Sequence, residues 1–511
     1  MGNRHAEDCG YDLVVPAAAP MIESMRAHGY SAATAVADLI DNSISADARH
    51  IWLNFHWAGA NSYVYVLDDG CGMDEDTLRN AMRPGSKSPL DQRDPNDLGR
   101  FGLGLKTASF SQCRRLTVAS KKRGGSVIVR RWDLDHVLKV NEWQLLKAPS
   151  HEAEKYLTPL GEMKEGTMVL WEIPDRLIEK EASSNNRAAQ ERFLRMIQDV
   201  QSYLSMVFHR YLEGVTPSLT IFINETDDDH RVRPWDPFLR NHTATSRSPE
   251  ERIFHPNGEI RLQAFVLPHK DMMSAQEIEL AAGPSGWNAH QGFFVYRNRR
   301  MLVGGGWLGL GSVKPWMQEE HYRLARILVD MPNTQDHDWQ IDVKKSTAKP
   351  PAWLRDRLRV LAENTRKHAR HIFAHRGSYG PRGPQIEVTR AWLPRTVSGR
   401  RVYRIDRHHP LVKAASEIAL TAEHKKLFEA MLRTLEETVP VAQIWLDTAE
   451  YPEGHSRPFE TADDLEKRRM LETAYRVFRE IHGLKPEAAR HKLLRTDGFQ
   501  DMGRLIDTLV D

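Results

Sequence analysis

Fifteen residues, Thr34 to Ala48 (TAVADLIDNSISADA), constrain this chain more than any other stretch. At helical spacing Val36, Leu39, Ile40, Ser43 and Ile44 make one small or apolar face, while Asp38, Asp41, Asn42 and Ser45 fall at i, i+3, i+4 and i+7 on another. An exposed helix ordinarily scatters Lys, Glu and Arg over its polar side. Here that stripe holds only short, acceptor-rich side chains, of the kind that ligate a hard cation or orient a water. A solvated helix face is the other reading of the same stripe, and the surrounding motifs have to decide between the two.

Upstream, Pro20 and Met21 to Ala27 read as a short helix ended by Gly29, and Ser31 can cap the acidic helix. Downstream the period changes. Ile51, Leu53 and Phe55 alternate, Gly59-Ala60-Asn61 turns, and Tyr63 to Leu67 returns as a second strand that ends in Asp68-Asp69-Gly70-Cys71-Gly72-Met73. There the glycines let backbone approach a flat ligand, and Asp68 offers acceptors to an amino group. Asp74 can cap a short helix through Arg83. The polar, glycine-rich stretch Pro84 to Gly104 follows and runs through Gly99-Arg100-Phe101-Gly102-Leu103-Gly104-Leu105-Lys106-Thr107 into a helix start. Free N–H groups at a helix start beside glycines and a lysine can cradle phosphate. Leu105 separates Gly104 from Lys106, which excludes a Walker A loop, and a polar loop precedes where a dinucleotide fingerprint needs a strand. Strands over Leu116 to Ser120, Ser126 to Trp132 and, after Gly166-Thr167, Met168 to Ile173 complete an α/β sandwich with an antiparallel or mixed sheet.

With 511 residues the chain is too long for one core, and its net charge of +2 supplies no global basic field for nucleic acid. The three cysteines, Cys9, Cys71 and Cys113, have no zinc spacing. The N-terminus lacks the apolar core of a signal peptide, and no run of about 18 apolar residues suits a membrane. A cytoplasmic protein without a membrane partner is the expectation.

The four motifs, in this order, resemble the GHKL (Bergerat) nucleotide-binding fold shared by gyrase, heat-shock chaperones, MutL and histidine kinases. The resemblance implies ATP and Mg²⁺, with Asn42 as the metal ligand and Asp38, one turn earlier, activating water. It further implies that Asp68 accepts from the adenine amino group beside Gly70, Gly72 and Met73. Gly99, Arg100, Phe101, Gly102, Leu103, Gly104, Leu105 and Lys106 would form the lid, and Thr167 would close the adenine side.

Asn185 to Tyr211 is a long helical pattern with Phe193, Met196, Ile197, Val200, Tyr203, Leu204 and Val207 on one face. Strands are expected at Leu219 to Asn224, Ile260 to Leu267 and Gly292 to Asn298, then a helix over Glu319 to Leu328, then Ile341-Asp342-Val343-Lys344-Lys345-Ser346. This order resembles the transducer domain of MutL, MORC and gyrase-type ATPases, which sends a lysine to the γ-phosphate. Lys344 or Lys345 would be that residue. The nearest branch in resemblance, over residues 15 to 375, is that of bacterial MutL/MORC-like ATPases, often encoded with restriction or phage-defence systems. MutL-type proteins carry Glu where this chain has Asp38, which leaves binding intact in expectation and points to slow hydrolysis.

The expected organisation is an N-terminal arm (1–19), an ATP-binding domain (20–180), a transducer-like α/β domain (181–377), a linker (378–386) and a helical interaction domain (387–511). Within the last, Arg400, Arg401, Arg404 and Arg407 could meet phosphate or simply face water. The function this suggests is an ATP-hydrolysing, nucleotide-dependent homodimeric clamp acting on DNA with defence-system proteins. An ATP-operated protein scaffold or chaperone would use the same fold. A histidine kinase is disfavoured by the downstream domain.

Overall fold

The structure is a computed structural model. It describes residues 16–27, 29–86, 98, 102, 104–179, 182–311, 314–342, 345, 347–374, 389–397, 400–418, 421–441, 444, 459 and 461–509. Two compact units divide it, 1–381 and 382–511. The expected linker 378–386 and residues 1–15 of the expected arm lie outside the described residues, and Ala18 and Ala19 belong to the first helix.

The first unit begins with α1 (Ala18–Arg26) and α2 (Ala32–Ser45). A reciprocal cap starts α2: the Thr34 amide donates to Ser31 Oγ (3.2 Å) while the Ser31 amide donates to Thr34 Oγ1 (3.1 Å). Strands β1 (His50–His56) and β2 (Tyr63–Asp68) form the hairpin, and α3 (Glu75–Met82) and α4 (Gly104–Phe110) flank the lid stretch. Then come β3 (Arg115–Lys121), β4 (Ile128–Asp133), α5 (Leu134–Val140), α6 (Thr158–Glu162) and β5 (Gly166–Glu172). They lead to α7 (Arg187–Val207), α8 (His209–Leu212) and β6 (Thr220–Ile223). The six strands make one mixed sheet, order β4-β3-β5-β2-β1-β6, antiparallel except for the parallel β1–β6 pair.

This sheet crosses the boundary expected at 180/181. Its edge strand β6 comes from residues 220–223, and α7 lays Phe193, Val200 and Leu204 into the same core as Val36, Leu39 and Ile40 of α2 and Ile51, Leu53, Val64 and Val66 of the sheet. A helix with apolar residues at every third or fourth position has to bury that stripe, and the sheet's helical face is where it does so. Burying Phe193, Ile197, Val200, Leu204 and Val207 on α7 stabilises the fold by on the order of 10 kcal/mol before entropy is counted.

The second half of this unit holds β7 (Ser246–Arg247), β8 (Glu251–His255), β9 (Gly258–Val266), α9 (Ala275–Ala282), α10 (Gly286–Ala289), β10 (Gly292–Arg297), β11 (Arg300–Gly304), β12 (Ala325–Met331) and α11 (Ala352–Ala374). Its sheet runs β11-β10-β12-β9-β7, with β8 on β9. On one face Leu354, Leu358 and Ala362 of α11 share a core with Ile260, Leu262, Ile327 and Val329. On the other, Phe294, Tyr296 and Met301 join the first core. The helix expected over Glu319 to Leu328 is instead a short 3-10 turn (Glu320–Tyr322) and the central strand β12. The Ile327-Leu328-Val329 run pairs with β10 in parallel and with β9 antiparallel, and a strand flanked on both edges accepts apolar residues on both faces.

The second unit is helical, with α12 (Pro410–Ile418), α13 (Ala422–Glu437) and later helices at Asp464–Arg476 and Pro486–Leu494 around Leu471, Phe478, Leu493 and Ile506. It also contains an antiparallel hairpin, β13 (Trp392–Val397) and β14 (Arg400–Ile405), that the helical reading did not foresee. Two of the four clustered arginines are paired internally. Arg404 meets Glu437 (3.0 Å), and Arg407 meets Glu436 (2.7 Å) and Glu429 (3.0 Å) on α13. The side chains of Arg400 and Arg401 are outside the described residues.

Candidate nucleotide site

At the C-terminal end of β2, Asp68 is almost wholly buried. Its carboxylate accepts from Ser43 Oγ (2.7 Å), the Gly70 amide (3.0 Å) and the Thr167 amide (3.2 Å). Burial pushes its pKa up to about 6 against the lowering effect of these three donors. A carboxylate has about four acceptor positions, so this one retains room for a further donor such as a purine amino group. Thr167 Oγ1 lies 2.8 Å from Ser120 Oγ, which in turn accepts from the Met73 amide (2.8 Å). The expected adenine-side residues Asp68, Gly70, Met73 and Thr167 are thus one hydrogen-bonded group. Gly72 adjoins it with φ +63°, and a Cβ there would sit 2.1 Å from the Lys121 carbonyl oxygen, so only glycine fits.

On α2, Asn42 is exposed while Asp38 and Asp41 are buried. One carboxamide pointing outward beside a helix start suits a cation that keeps most of its waters and takes few protein ligands, so the donor set fits Mg²⁺ with phosphate. Gly104, at the start of α4, brings backbone against Asp38; a Cβ there would be 3.5 Å from Asp38 Oδ2. Lys106 points elsewhere. Its ammonium donates to the carbonyls of Ala81 (2.8 Å) and Gly102 (2.6 Å), tying α4 to α3 and the loop. Leu105 is half-buried beside it, and Gly99, Arg100, Phe101 and Leu103 are outside the described residues.

The two halves of the unit meet at Asp38. Lys345 Nζ donates to Asp38 Oδ1 (3.2 Å) and to Asp41 Oδ2 (2.5 Å), and Tyr30 Oη donates to Asp38 Oδ2 (3.0 Å). Lys344 is outside the described residues. Lys345 has φ +53°, a left-handed conformation that costs a lysine roughly 1–2 kcal/mol and has to be held by its surroundings.

Two arginines that sequence reading passed over complete the junction. Asn298 (φ +48°) and Arg299 (φ +70°) form the tight turn between β10 and β11, so Arg297 and Arg300 stand opposite each other. Arg300 Nε donates to Asp41 Oδ1 (3.2 Å), each side chain being 1% exposed. Burial pushes the Asp41 carboxyl up, but Arg300 and Lys345 outweigh it and hold the group below the usual carboxylate range. Arg297 donates to Asp336 (2.7 Å) and to the Leu98 carbonyl (2.8 Å), fastening the end of the lid stretch to the second sheet. An asparagine at a hairpin turn flanked by arginines was the available signal.

Residues 30–167 match the family described as histidine kinase-, DNA gyrase B- and HSP90-like ATPase. Among similar proteins, ATPase morc-1 of Caenorhabditis elegans is 32% identical over 91 residues, 18% of this chain and 10% of that protein. DNA mismatch repair protein MutL of Rickettsia canadensis is 31% identical over 93 residues, 18% of this chain and 15% of its own length. MutL of Halobacterium salinarum is 32% identical over 106 residues, 20% and 16%. The matched segment is therefore a small fraction of each relative. No helix among the described residues is long and apolar enough to cross a membrane. Residues 30–167 thus form a domain of the GHKL ATPase type, similar over that stretch to segments of MORC and MutL proteins.

Proposed function

We propose that this protein is a Mg²⁺-dependent ATP-binding and slowly ATP-hydrolysing switch whose two copies close as a clamp on nucleotide. The observation that carries the reading is Lys345 of the second half lying against Asp38 of α2, 307 positions away. A cation delivered from a neighbouring layer to the phosphate end of the site couples nucleotide binding to the relation between the two halves.

In this reading Asp68 and Thr167 hold the adenine side, the glycines Gly70, Gly72, Gly102 and Gly104 let backbone approach, and Asn42 holds the metal. Bound Mg²⁺ would neutralise phosphate charge and align it. Asp38 is the general base for water and Lys345 the cation at the terminal phosphate. Turnover is slow because aspartate is one methylene shorter than glutamate, and a misplacement of about 1 Å can cost on the order of 10²-fold in rate. The relatives' names, a DNA mismatch repair protein among them, support DNA as the object of the clamp. Proteins of restriction or phage-defence systems are proposed as partners on the resemblance of the motif order alone.

Asn42→Ala should abolish thermal stabilisation by Mg²⁺-ATP, and Asp38→Asn should bind ATP but release no phosphate. Unchanged ATP affinity in Asn42→Ala, measured calorimetrically, would overturn the site. Light scattering should show a dimer with a non-hydrolysable ATP analogue that ADP does not support. A salt-sensitive complex with long duplex DNA should accompany that dimer.

A further inference from the structure

Two carboxylates and two cations, Asp38, Asp41, Lys345 and Arg300, form a buried, charge-balanced group whose side chains are at most 8% exposed. Asp41 is its centre. One carboxylate oxygen takes Arg300 from β11, and the other takes Lys345 at 2.5 Å, closer than the 3.2 Å contact that Lys345 makes with Asp38. Arg300 is fixed in turn, since its Nη1 donates to the Met301 carbonyl (2.7 Å) and its guanidinium lies 5.6 Å from the centre of the Phe208 ring.

We propose that Asp41, oriented by Arg300, is a positioning residue that stores Lys345 while no triphosphate is bound and so keeps both Lys345 and Asp38 out of use. The proposal rests on the nucleotide reading of the site. A lysine ammonium has three donors, and two of these are spent on the carboxylates. To reach a phosphate oxygen Lys345 has to give up those contacts. Asp38 Oδ1 then becomes free to take a proton from water, while Asp41 keeps Arg300 and is not left as a bare buried charge. Binding of a terminal phosphate and release of the base are one event. An ammonium held by two carboxylates also competes with the terminal phosphate, so storage weakens triphosphate binding and leaves diphosphate binding alone.

That asymmetry is the test. Calorimetry measures the affinity of a non-hydrolysable ATP analogue and of ADP, each with Mg²⁺, for wild type, Asp41→Asn, Lys345→Met and the double variant. Asp41→Asn should tighten the analogue relative to ADP by at least about fivefold, within the usual range of coupling between sites. On the Lys345→Met background the same substitution should leave the analogue-to-ADP ratio unchanged. If analogue and ADP move together, or if the ratio shifts equally without Lys345, Asp41 is only a strut between the halves and the proposal fails. Should Asp41→Asn alone unfold, the paired substitution Asp41→Asn/Arg300→Met removes the lone buried cation and carries the same expectation. Wild type that binds neither nucleotide overturns the nucleotide reading itself, and the storage role with it; wild type that binds both, with no rise in the analogue-to-ADP preference in Asp41→Asn, overturns storage alone.

Discussion

Replacing Arg300 with methionine keeps an unbranched side chain out to about the Nε position while deleting the guanidinium, one member of the buried charge group. At 3.2 Å the attraction to Asp41 is about 5 kcal/mol for an effective dielectric constant near 20. Losing it is offset in part because the guanidinium no longer has to be desolvated and because Asp41 retains Lys345 at 2.5 Å. Breaking a buried pair from one side typically costs about 3–5 kcal/mol, and the retained lysine sets the expectation at about 3. Asp41→Asn should cost a similar amount, because it strands Arg300. The double variant leaves only the neutral Asp38–Lys345 pair and should lie within about 1 kcal/mol of wild type. Urea denaturation followed by tryptophan fluorescence reads this, since most tryptophans fall before residue 382. With a slope of about 3 kcal/mol/M, each single variant should lower the midpoint by about 1 M. A single-variant shift under a third of that, or a double-variant shift equal to the sum of the singles, would refute the claim that these charges are held by one another.

Asp68, raised to about 6 by burial, should make ADP binding weaken by up to tenfold per pH unit below 6 and level off above it, with no such step in Asp68→Asn. The sign for stability is opposite: a raised carboxyl favours the fold below about 4 and loses that contribution as pH rises through 6. Wild type should therefore lose up to about 3 kcal/mol relative to Asp68→Asn between pH 4 and 7, read by denaturant titration at each pH. Gly72→Ala meets both a positive φ and the Lys121 carbonyl, so it should lower stability by more than about 2 kcal/mol and remove nucleotide-induced thermal stabilisation. Maleimide, with the modified positions located by mass spectrometry, should label exposed Cys71 and spare buried Cys113, and Mg²⁺-ADP should slow labelling of Cys71, which sits between Gly70 and Gly72.

What local chemistry specifies was legible from the residues alone. The cap from Ser31 starts α2, the alternation of Ile51, Leu53 and Phe55 makes a strand, and Asp68 ends one. What failed did so for stated reasons. Around Glu319 to Leu328 the apolar residues satisfy helical spacing as well as a buried strand, and only the neighbours β9 and β10 decide. Nothing local announces β11, because Arg299 is an unusual occupant of a turn that demands positive φ. The hairpin of β13 and β14 carries arginine where strand-favouring residues are expected. Asp41 looked like one more carboxylate on a polar stripe, because its partners lie 259 and 304 positions away and no local pattern announces them.

The strand β6 has a consequence for how the chain is born. Until Thr220–Ile223 leaves the ribosome β1 presents an open edge, and until Arg187–Val207 has emerged the sheet's helical face has no α7 against it. At about 5–20 residues per second, synthesis from position 180 to 223 lasts roughly 2–9 s, long on the scale of folding a domain. During that interval the nascent sheet is a template for pairing with other chains. A ribosome stalled there, or a fragment ended at residue 180, would release an aggregation-prone species, whereas a product carried past residue 223 covers β1 and leaves as its edge only the short strand β6, bridged at Phe222 by Arg231.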